Sequence, residues 1–284
     1  MGFDHKYISQ KKWAIADEPV FRWRFLQNIH FIEPIGLVFL AGLIDKQFEF
    51  AGSGSITFNT EVIGYLERIH FLSYLEKSYR NRLEIIPQQP KQRHYPLADR
   101  LLEFQKIEFT DRYDCEECIE RLAILCQGRI GNAVSFAYIN DVFAELLSNV
   151  ARHSKTLSFF TIAQKYPKNE VLKISIGDLG IGIPESIRGY TSRNLRDNDA
   201  IMMATLPDVS ADGGGMGLTT LKSYLQDPED YLFILSNSGC VKFTRNVNIS
   251  YANFKSSLSG SFIEICFKMD SKYRSEMTVI DQLF

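Results

Sequence analysis

The chain has 284 residues, of which 45% are apolar and 23% are charged, proportions that are typical of a globular protein. A formal net charge of −2 without a basic run argues against a nucleic-acid partner, and no apolar run is long enough to span a membrane or suggest a membrane partner. With no signal-peptide pattern and five irregularly spaced cysteines, we expect a cytoplasmic protein, and its length suggests two domains of about 100 to 200 residues.

The first part of the chain is predicted to be an α/β unit in which strands and helices alternate. Pro34 lies where the first turn of a helix tolerates proline, because an N–H group at that position has no partner within the helix. An apolar stretch follows Pro34 and ends before a glycine-rich break at residues 52–54. The predicted elements are a strand within 7–15, a strand over 25–31, a helix over 35–48, a strand over 55–59 and a helix over 62–80.

The segment 26–40 resembles the central motif of STAS domains, the small α/β modules of anti-sigma-factor antagonists. That family generally has Asp-Ser at the start of the helix, and its kinase phosphorylates the serine. This chain has Glu33-Pro34 there, and proline has no hydroxyl, so the same phosphate switch is chemically impossible at this position. The resemblance implies a STAS-like α/β domain over residues 1–90, with a generic α/β unit around a buried helix as the alternative.

A change of composition after residue 83 indicates a linker, because residues 83–96 are rich in proline, glutamine and basic side chains. We assign residues 91–108 to this linker, 109–272 to a second domain and 273–284 to a tail. The second domain is predicted to contain a hairpin formed by the strands on either side of a turn at 165–169. Its predicted elements are helices over 114–128 and 136–154, and strands over 158–163, 171–177, 231–236, 240–245 and 260–269.

The predicted helix over 136–154 has a polar stripe opposite its apolar face. Glu145, Asn149 and His153 are four residues apart, so they stack along the helix with about 6 Å between neighbours. A carboxylate can accept a proton from water or a hydroxyl, and an amide oxygen can ligate Mg²⁺. His153 is better explained by a local role at the end of the helix, where positive charge is favoured. Such a stripe is also common on surface helices, so its meaning depends on the segments that follow.

Two glycine clusters follow this helix. In the first, Asp178, Gly180 and Gly182 come directly after a predicted buried strand. Asp178 can accept a hydrogen bond from an exocyclic amine such as that of adenine, and glycines without a Cβ let a flat ring approach the backbone. The second cluster, residues 211–218, is a glycine loop that opens a helix, and its N–H groups and positive helix end suit phosphates.

In this order, and with a late strand over 258–267, the segments resemble the GHKL superfamily, the ATP-binding (Bergerat) fold of gyrase, heat-shock chaperones, histidine kinases and mismatch-repair ATPases. The resemblance spans about residues 135–270 and implies an α/β sandwich with a mixed sheet. It implies that Glu145 is the catalytic base, Asn149 the Mg²⁺ ligand and Asp178 the partner of the adenine amine. The family usually has threonine where this chain has Ser261, which keeps the hydroxyl. The remaining implied ATP-binding residues are Gly180, Gly182, Gly213, Gly214, Gly215, Met216, Gly217 and Leu218.

The resemblance also implies that residues 184–212 form a mobile lid. Three arginines in it could reach a γ-phosphate, although solvated loop arginines are the commoner case. We expect Lys222 to be an ordinary surface lysine. Cys115 and Cys118 form the sequence's one C-x-x-C pair, and without a second pair at zinc spacing we expect plain thiols. The lid arginines are Arg188, Arg193 and Arg196.

Three functions are consistent with these features. The first is a Mg²⁺-dependent ATPase module that hydrolyses ATP slowly and transmits its nucleotide state to the STAS-like half or to a regulatory protein partner. The second is a protein serine kinase of the anti-sigma-factor type, which needs a separate substrate protein because Pro34 cannot accept phosphate. The third is a switch that binds ATP or ADP and changes partner without turnover. A homodimer is a further expected assembly.

Overall fold

The structure is a computed structural model that describes residues 2–10, 23–50, 53–86, 101–108, 117–125, 136–207, 209, 217–251 and 258–269. It has an α/β fold in which a seven-stranded antiparallel sheet is covered on both faces. Elements from the N-terminal part of the chain cover one face, and helices from the C-terminal part cover the other. No helix among these residues is long and apolar enough to cross a membrane.

The N-terminal elements combine strands and helices, which confirms the predicted α/β composition of this part of the chain. They are β1 (Gly2–Phe3), α1 (His5–Gln10), β2 (Phe31–Ile32), α2 (Pro34–Phe50), β3 (Gly54–Thr57), α3 (Thr60–Arg68), α4 (Phe71–Tyr79) and β4 (Leu83–Ile86). β1 pairs with β2 and β3 pairs with β4, each in parallel. The apolar helix predicted after Pro34 is confirmed as α2, and Pro34 is its first residue.

The two strands predicted at the start of the chain are wrong where the structure describes them. The start of the first predicted strand, from Tyr7 to Gln10, is instead part of helix α1. The Asp4 side chain caps this helix by accepting a hydrogen bond of 2.8 Å from the Tyr7 N–H. The second is a 3₁₀ helix, Trp23–Asn28. Leu26 and Ile29 are both buried and three residues apart, a spacing that places side chains on one side of a helix but on opposite faces of a strand.

The single helix predicted over 62–80 is also wrong, because the chain turns between α3 and α4. His70 adopts a left-handed conformation with a φ of 65°. Its neighbours Ile69 and Phe71 are two residues apart and both buried. One straight helix cannot direct both side chains into the same core, so the break allows each of them to be buried.

The C-terminal elements include the predicted helix with the polar stripe and the predicted hairpin, and both are confirmed. A π-helical turn, Val150–Ser154, extends that helix. The elements are β5 (Leu101–Glu108), α5 (117–125), α6 (Phe136–Asn149), β6 (Ser158–Tyr166), β7 (Val171–Asp178), α7 (Ile183–Thr191), α8 (Asp197–Ala204), α9 (Gly217–Ser223), β8 (Tyr231–Ser236), β9 (Gly239–Thr244), β10 (Asn248–Ser250) and β11 (Ser261–Lys268).

The strand order of the large sheet is β10-β9-β8-β11-β7-β6-β5, and all the neighbouring pairs are antiparallel. The predicted mixed sheet is therefore wrong for the described strands. Short hairpins join β6 to β7 and β8 to β9, which makes those pairs antiparallel. β11 inserts between β7 and β8 and is antiparallel to both, so β7 and β8 run in the same direction without being neighbours.

Part of the predicted linker is a strand, β5. Residues 101–108 were expected to lie within it, but they form the edge strand that pairs with β6. Phe104 and Ile107 are buried in the cores on opposite faces of the sheet, as expected for strand residues three positions apart. The predicted division into two domains stays a prediction, since the N-terminal elements and one face of the sheet share a continuous apolar core.

We call the face covered by the N-terminal elements the back face, and the face covered by α6, α7, α8 and α9 the front face. Side chains alternate between the two faces along each strand. In β7, Lys173, Ser175 and Gly177 lie on the back face, whereas Ile176 and Asp178 lie on the front face. The strand order and this alternation fix which residues meet in the site described next.

Candidate functional site

An open cleft lies on the front face, between α6, the start of α9 and the ends of β7 and β11. It encloses about 730 Å³ of space, part of which is open to solvent. Much of its wall is apolar, including Leu146, Ile176 and Ile263. The predicted site residues that line it are Asn149, Asp178, Gly182, Gly217, Leu218 and Ser261.

Glu145 and Asn149 lie side by side on α6, as their spacing predicted. The Asn149 Nδ2 atom lies 3.4 Å from Glu145 Oε1. Burial raises the pKa of Glu145, against the opposing effects of the Arg152 charge and the Asn149 hydrogen bond. Gly217, the first residue of α9, is close by, because a methyl group placed on it would lie 3.6 Å from Glu145 Oε1. A carboxylate with raised basicity thus stands beside the start of the helix that follows the glycine loop.

Asp178 ends β7 and is only 4% exposed. Its Oδ1 atom accepts a hydrogen bond of 2.8 Å from the Gly180 N–H. Burial raises its pKa to about 7, although hydrogen bonds from the backbone N–H groups of Gly180 and Ser261 act in the opposite direction. The result is a buried acceptor whose protonation changes near neutral pH, facing the cleft.

Ser261, the first residue of β11, is the cross-strand partner of Asp178. Its Oγ atom lies 3.0 Å from the Oγ atom of Ser236. The Ser236 hydroxyl already donates to the Gly260 carbonyl at 2.8 Å, so in this pair Ser261 donates and Ser236 accepts. The Ser261 oxygen therefore keeps acceptor capacity on the cleft side.

The two glycines after Asp178 have different roles. Gly182 lines the cleft with a φ of 81°, and any side chain there would also collide with Asn237. Gly180 lies outside the lining and packs against the backbone of Ser154, whose carbonyl accepts a hydrogen bond of 2.8 Å from the Ile181 N–H. Gly180 thus holds the turn against the end of α6, and its predicted role beside the base stays a prediction.

Several predicted residues lie outside what the structure describes. These are Gly213, Gly214, Gly215, Met216 and Cys115, together with the side chain of His153. Their predicted roles stay predictions. Within the predicted lid, α7 and α8 are ordered helices, and Arg188 connects them by donating to the Leu195 carbonyl at 3.0 Å and pairing with Glu185 and Asp197. These contacts explain Arg188 as a structural residue of the lid.

Two residues beside the cleft were missed. Arg152 follows Asn149 by three positions on the same polar stripe, and its charge lowers the pKa of Glu145. Its Nε atom is buried and has no hydrogen-bond partner among the described residues. Ser236 supports Ser261 and also accepts a hydrogen bond of 2.9 Å from the Ile183 N–H. Helical spacing could have identified Arg152, whereas Ser236 depends on the pairing of β8 with β11.

A second polar cluster lies on the back face, where His5, Glu33 and Glu264 are close enough to suggest a metal site. Three contacts argue against a metal. Lys173 Nζ lies 2.5 Å from Glu33, and both Glu264 oxygens already accept hydrogen bonds. Lys242 Nζ lies 3.3 Å from His5 Nε2, so that nitrogen accepts and Nδ1 keeps its proton. A divalent ion would add charge to a cluster that its lysines already neutralise.

Neither a protein-family model nor a curated protein sequence matches the chain. The functional interpretation therefore depends on the cleft and on the order of the segments that form it.

Proposed function

We propose that this protein is a Mg²⁺-dependent, ATP-binding module of the GHKL type that hydrolyses ATP slowly and acts as a nucleotide-controlled switch. One observation carries the proposal, namely that segments far apart in the sequence meet at one cleft on the front face. They contribute Asn149 from α6, Asp178 from the end of β7, Gly182 from the turn that follows, Gly217 from α9 and Ser261 from β11.

The apolar cleft wall and Asp178 suit an adenine ring. The exocyclic amine of adenine donates hydrogen bonds, and a carboxylate accepts them. Guanine presents a carbonyl oxygen at the equivalent position, which would face the Asp178 carboxylate with like partial charge. The buried position of Asp178 strengthens this discrimination, because water is excluded from a group that is 4% exposed. We therefore expect ATP and ADP to bind more tightly than GTP.

Glu145, Asn149 and Gly217 suit the phosphate end of the ligand. The Asn149 amide would supply an oxygen ligand for Mg²⁺, and bound Mg²⁺ would neutralise phosphate charge. The raised pKa of Glu145 makes its carboxylate a better proton acceptor for an attacking water. The buried Arg152 Nε, which has no partner among the described residues, would place positive charge near developing negative charge.

The test is ATP turnover by the purified full chain with Mg²⁺. Glu145→Gln keeps the shape of the side chain but cannot accept a proton, so we expect turnover to fall by about 100-fold or more while ATP binding persists. The matched control is Glu120→Gln on the exposed side of α5, which should leave turnover unchanged. Equal turnover in the two variants would contradict the catalytic role of Glu145.

The same assay separates the proposal from its alternatives. With radiolabelled ATP, release of free phosphate supports hydrolysis. Transfer of label to an added lysate protein would instead identify a protein kinase, and its acceptor cannot be Pro34, which lies buried at the start of α2. Binding without either product would identify a switch that uses nucleotide without turnover.

A further inference from the structure

Helix α2 packs against the back face directly behind the cleft, and Gly42 lies in this contact. A methyl group placed on Gly42 would lie 2.6 Å from Phe262 Cζ and 3.3 Å from Leu179 Cδ2. Phe262 is 1% exposed, and protein cores are close-packed, so displacing its ring would disturb the side chains around it. Glycine at position 42 therefore permits a helix-to-strand approach that alanine would not permit without displacing the ring.

The same ring also lies close to a second glycine. Phe262 pairs with Gly177 across β11 and β7. A methyl group on Gly177 would lie 2.6 Å from Phe262 Cδ1 and 3.3 Å from Val38 Cβ of α2. Phe39 meets the Phe262 ring edge-on at 5.3 Å, with an interplanar angle of 86°. The ring fills the space left by two glycines and is fixed by its aromatic neighbour.

These back-face residues are sequence neighbours of the cleft residues. Phe262 directly follows Ser261, and Gly177 and Leu179 flank Asp178. Successive strand residues face opposite sides of a sheet, so any backbone shift that relieves a clash at the Phe262 ring also moves the adjacent cleft residues. That backbone carries the Gly180 and Ser261 N–H groups that hold the Asp178 carboxylate.

We propose that Phe262 is a positioning residue, through which α2 fixes the backbone that presents Asp178 and Ser261 to the nucleotide. The N-terminal part of the chain then supports the nucleotide site through α2. This inference rests on the proposed function. Binding linkage is reciprocal, so nucleotide stabilises the packing of α2 on the sheet by the same factor by which that packing strengthens nucleotide binding.

The test compares Gly42→Ala with Gly64→Ala. Both replace a helical glycine, but a methyl group at Gly64 meets nothing within 4 Å. We expect Gly42→Ala to weaken ATP binding by about tenfold in calorimetry, because a shift of part of an ångström misaligns Asp178. In the ligand-free protein it should also speed hydrogen exchange of the Gly180 amide. Gly64→Ala should do neither.

A compensating variant distinguishes positioning from a general loss of stability. Replacing the ring by a shorter side chain in Gly42→Ala/Phe262→Leu gives the added methyl group room, and we expect it to recover most of the lost affinity. If Gly42→Ala does not fold, Phe262→Leu alone serves, with weaker ATP binding expected in a folded protein. Unchanged affinity in Phe262→Leu would then overturn the inference.

The outcomes separate the inference from the proposed function. If Gly42→Ala lowers stability but matches Gly64→Ala in ATP affinity and in Gly180 exchange, the positioning role is overturned. If the wild-type protein itself binds no ATP, the proposed function fails. Gly180 exchange in the ligand-free variants then decides by itself whether α2 positions the Asp178 turn.

Discussion

Buried carboxylates have different partners on the two faces of the sheet. On the back face, Lys173 Nζ lies 2.5 Å from Glu33, and Glu264 accepts hydrogen bonds from Ser175 at 2.9 Å and Tyr231 at 2.7 Å. On the front face, the described partners of the buried Asp178 carboxylate are backbone N–H groups, and burial raises its pKa to about 7.

This difference separates scaffold from site. Charges that are paired with other groups of the protein do not require a ligand as a partner, and these pairs hold the N-terminal elements on the sheet. Burial raises the pKa of acids on both faces, but only backbone N–H groups oppose that shift at Asp178, whereas the Lys173 ammonium opposes it at Glu33. Buried acids with a strongly raised pKa cluster at functional sites. The comparison thus favours the front face over the back face as the place where a ligand would bind.

The largest expected effect is on stability when the front-face acid is neutralised. Asp178 has an ordinary pKa of 3.8 and a folded pKa of about 7, so its contribution to stability is full below pH 4 and is lost as pH rises through 7. The Asp178→Asn variant has no carboxyl group to ionise at this position, so it does not lose stability in this way. The difference in free energy of unfolding between this variant and wild type should therefore rise by on the order of 4 kcal/mol in favour of the variant between pH 4 and 7.

Urea unfolding of both proteins across that pH range measures this difference without ligand. Other groups titrate in the same range but cancel between the two proteins. A constant difference from pH 4 to 8 would show that Asp178 is ionised normally in the fold, which would remove the contrast between the two faces.

The next effect is on the back face. Lys173→Met leaves the partly buried Glu33 without its ammonium partner. We expect the free energy of unfolding, measured in urea, to fall by about 3 kcal/mol. The control is Lys268→Met, whose ammonium pairs with Glu229 and Glu170 at the surface and should matter little. Similar behaviour of the two variants would mean that the back-face pair does not hold the N-terminal elements in place.

The smallest expected effect is a pH dependence of nucleotide affinity. If the ionised Asp178 carboxylate accepts the adenine amine, a folded pKa of about 7 predicts affinity for ATP about tenfold weaker at pH 6 than at pH 8. Calorimetry at saturating Mg²⁺ measures it. Glu145→Gln is the control, since it removes the other buried acid and should keep the pH dependence. Affinity that is flat across this range would assign adenine recognition to another group.

Local periodicity accounts for what could be predicted from the sequence. The stripe with Glu145 and Asn149 follows from helical spacing, and the β6–β7 hairpin follows from two apolar runs around a short turn. The position of Asp178 at the end of a buried strand follows from the apolar run that precedes it, whereas its role stays a prediction. These features depend on residues that are near one another in the chain.

Contacts between distant residues account for what could not be predicted. β11 inserts between β7 and β8, and no local pattern specifies that partner choice, so the mixed sheet was a wrong expectation. Lys173 and Glu33 are 140 positions apart, and their pairing follows from the packing of the N-terminal elements on the sheet. The fit of Gly42 to the Phe262 ring likewise appears only when α2 lies on the back face.

Calorimetric titration of the full chain with ATP in the presence of Mg²⁺ tests the central claim most directly. We predict saturable binding at one site, weaker binding of GTP, and loss of ATP binding in Asp178→Asn, although the stability of that variant relative to wild type rises between pH 4 and 7. Absence of binding heat in the wild-type protein, or equal affinity in Asp178→Asn, would contradict the claim that the front-face cleft is a nucleotide site.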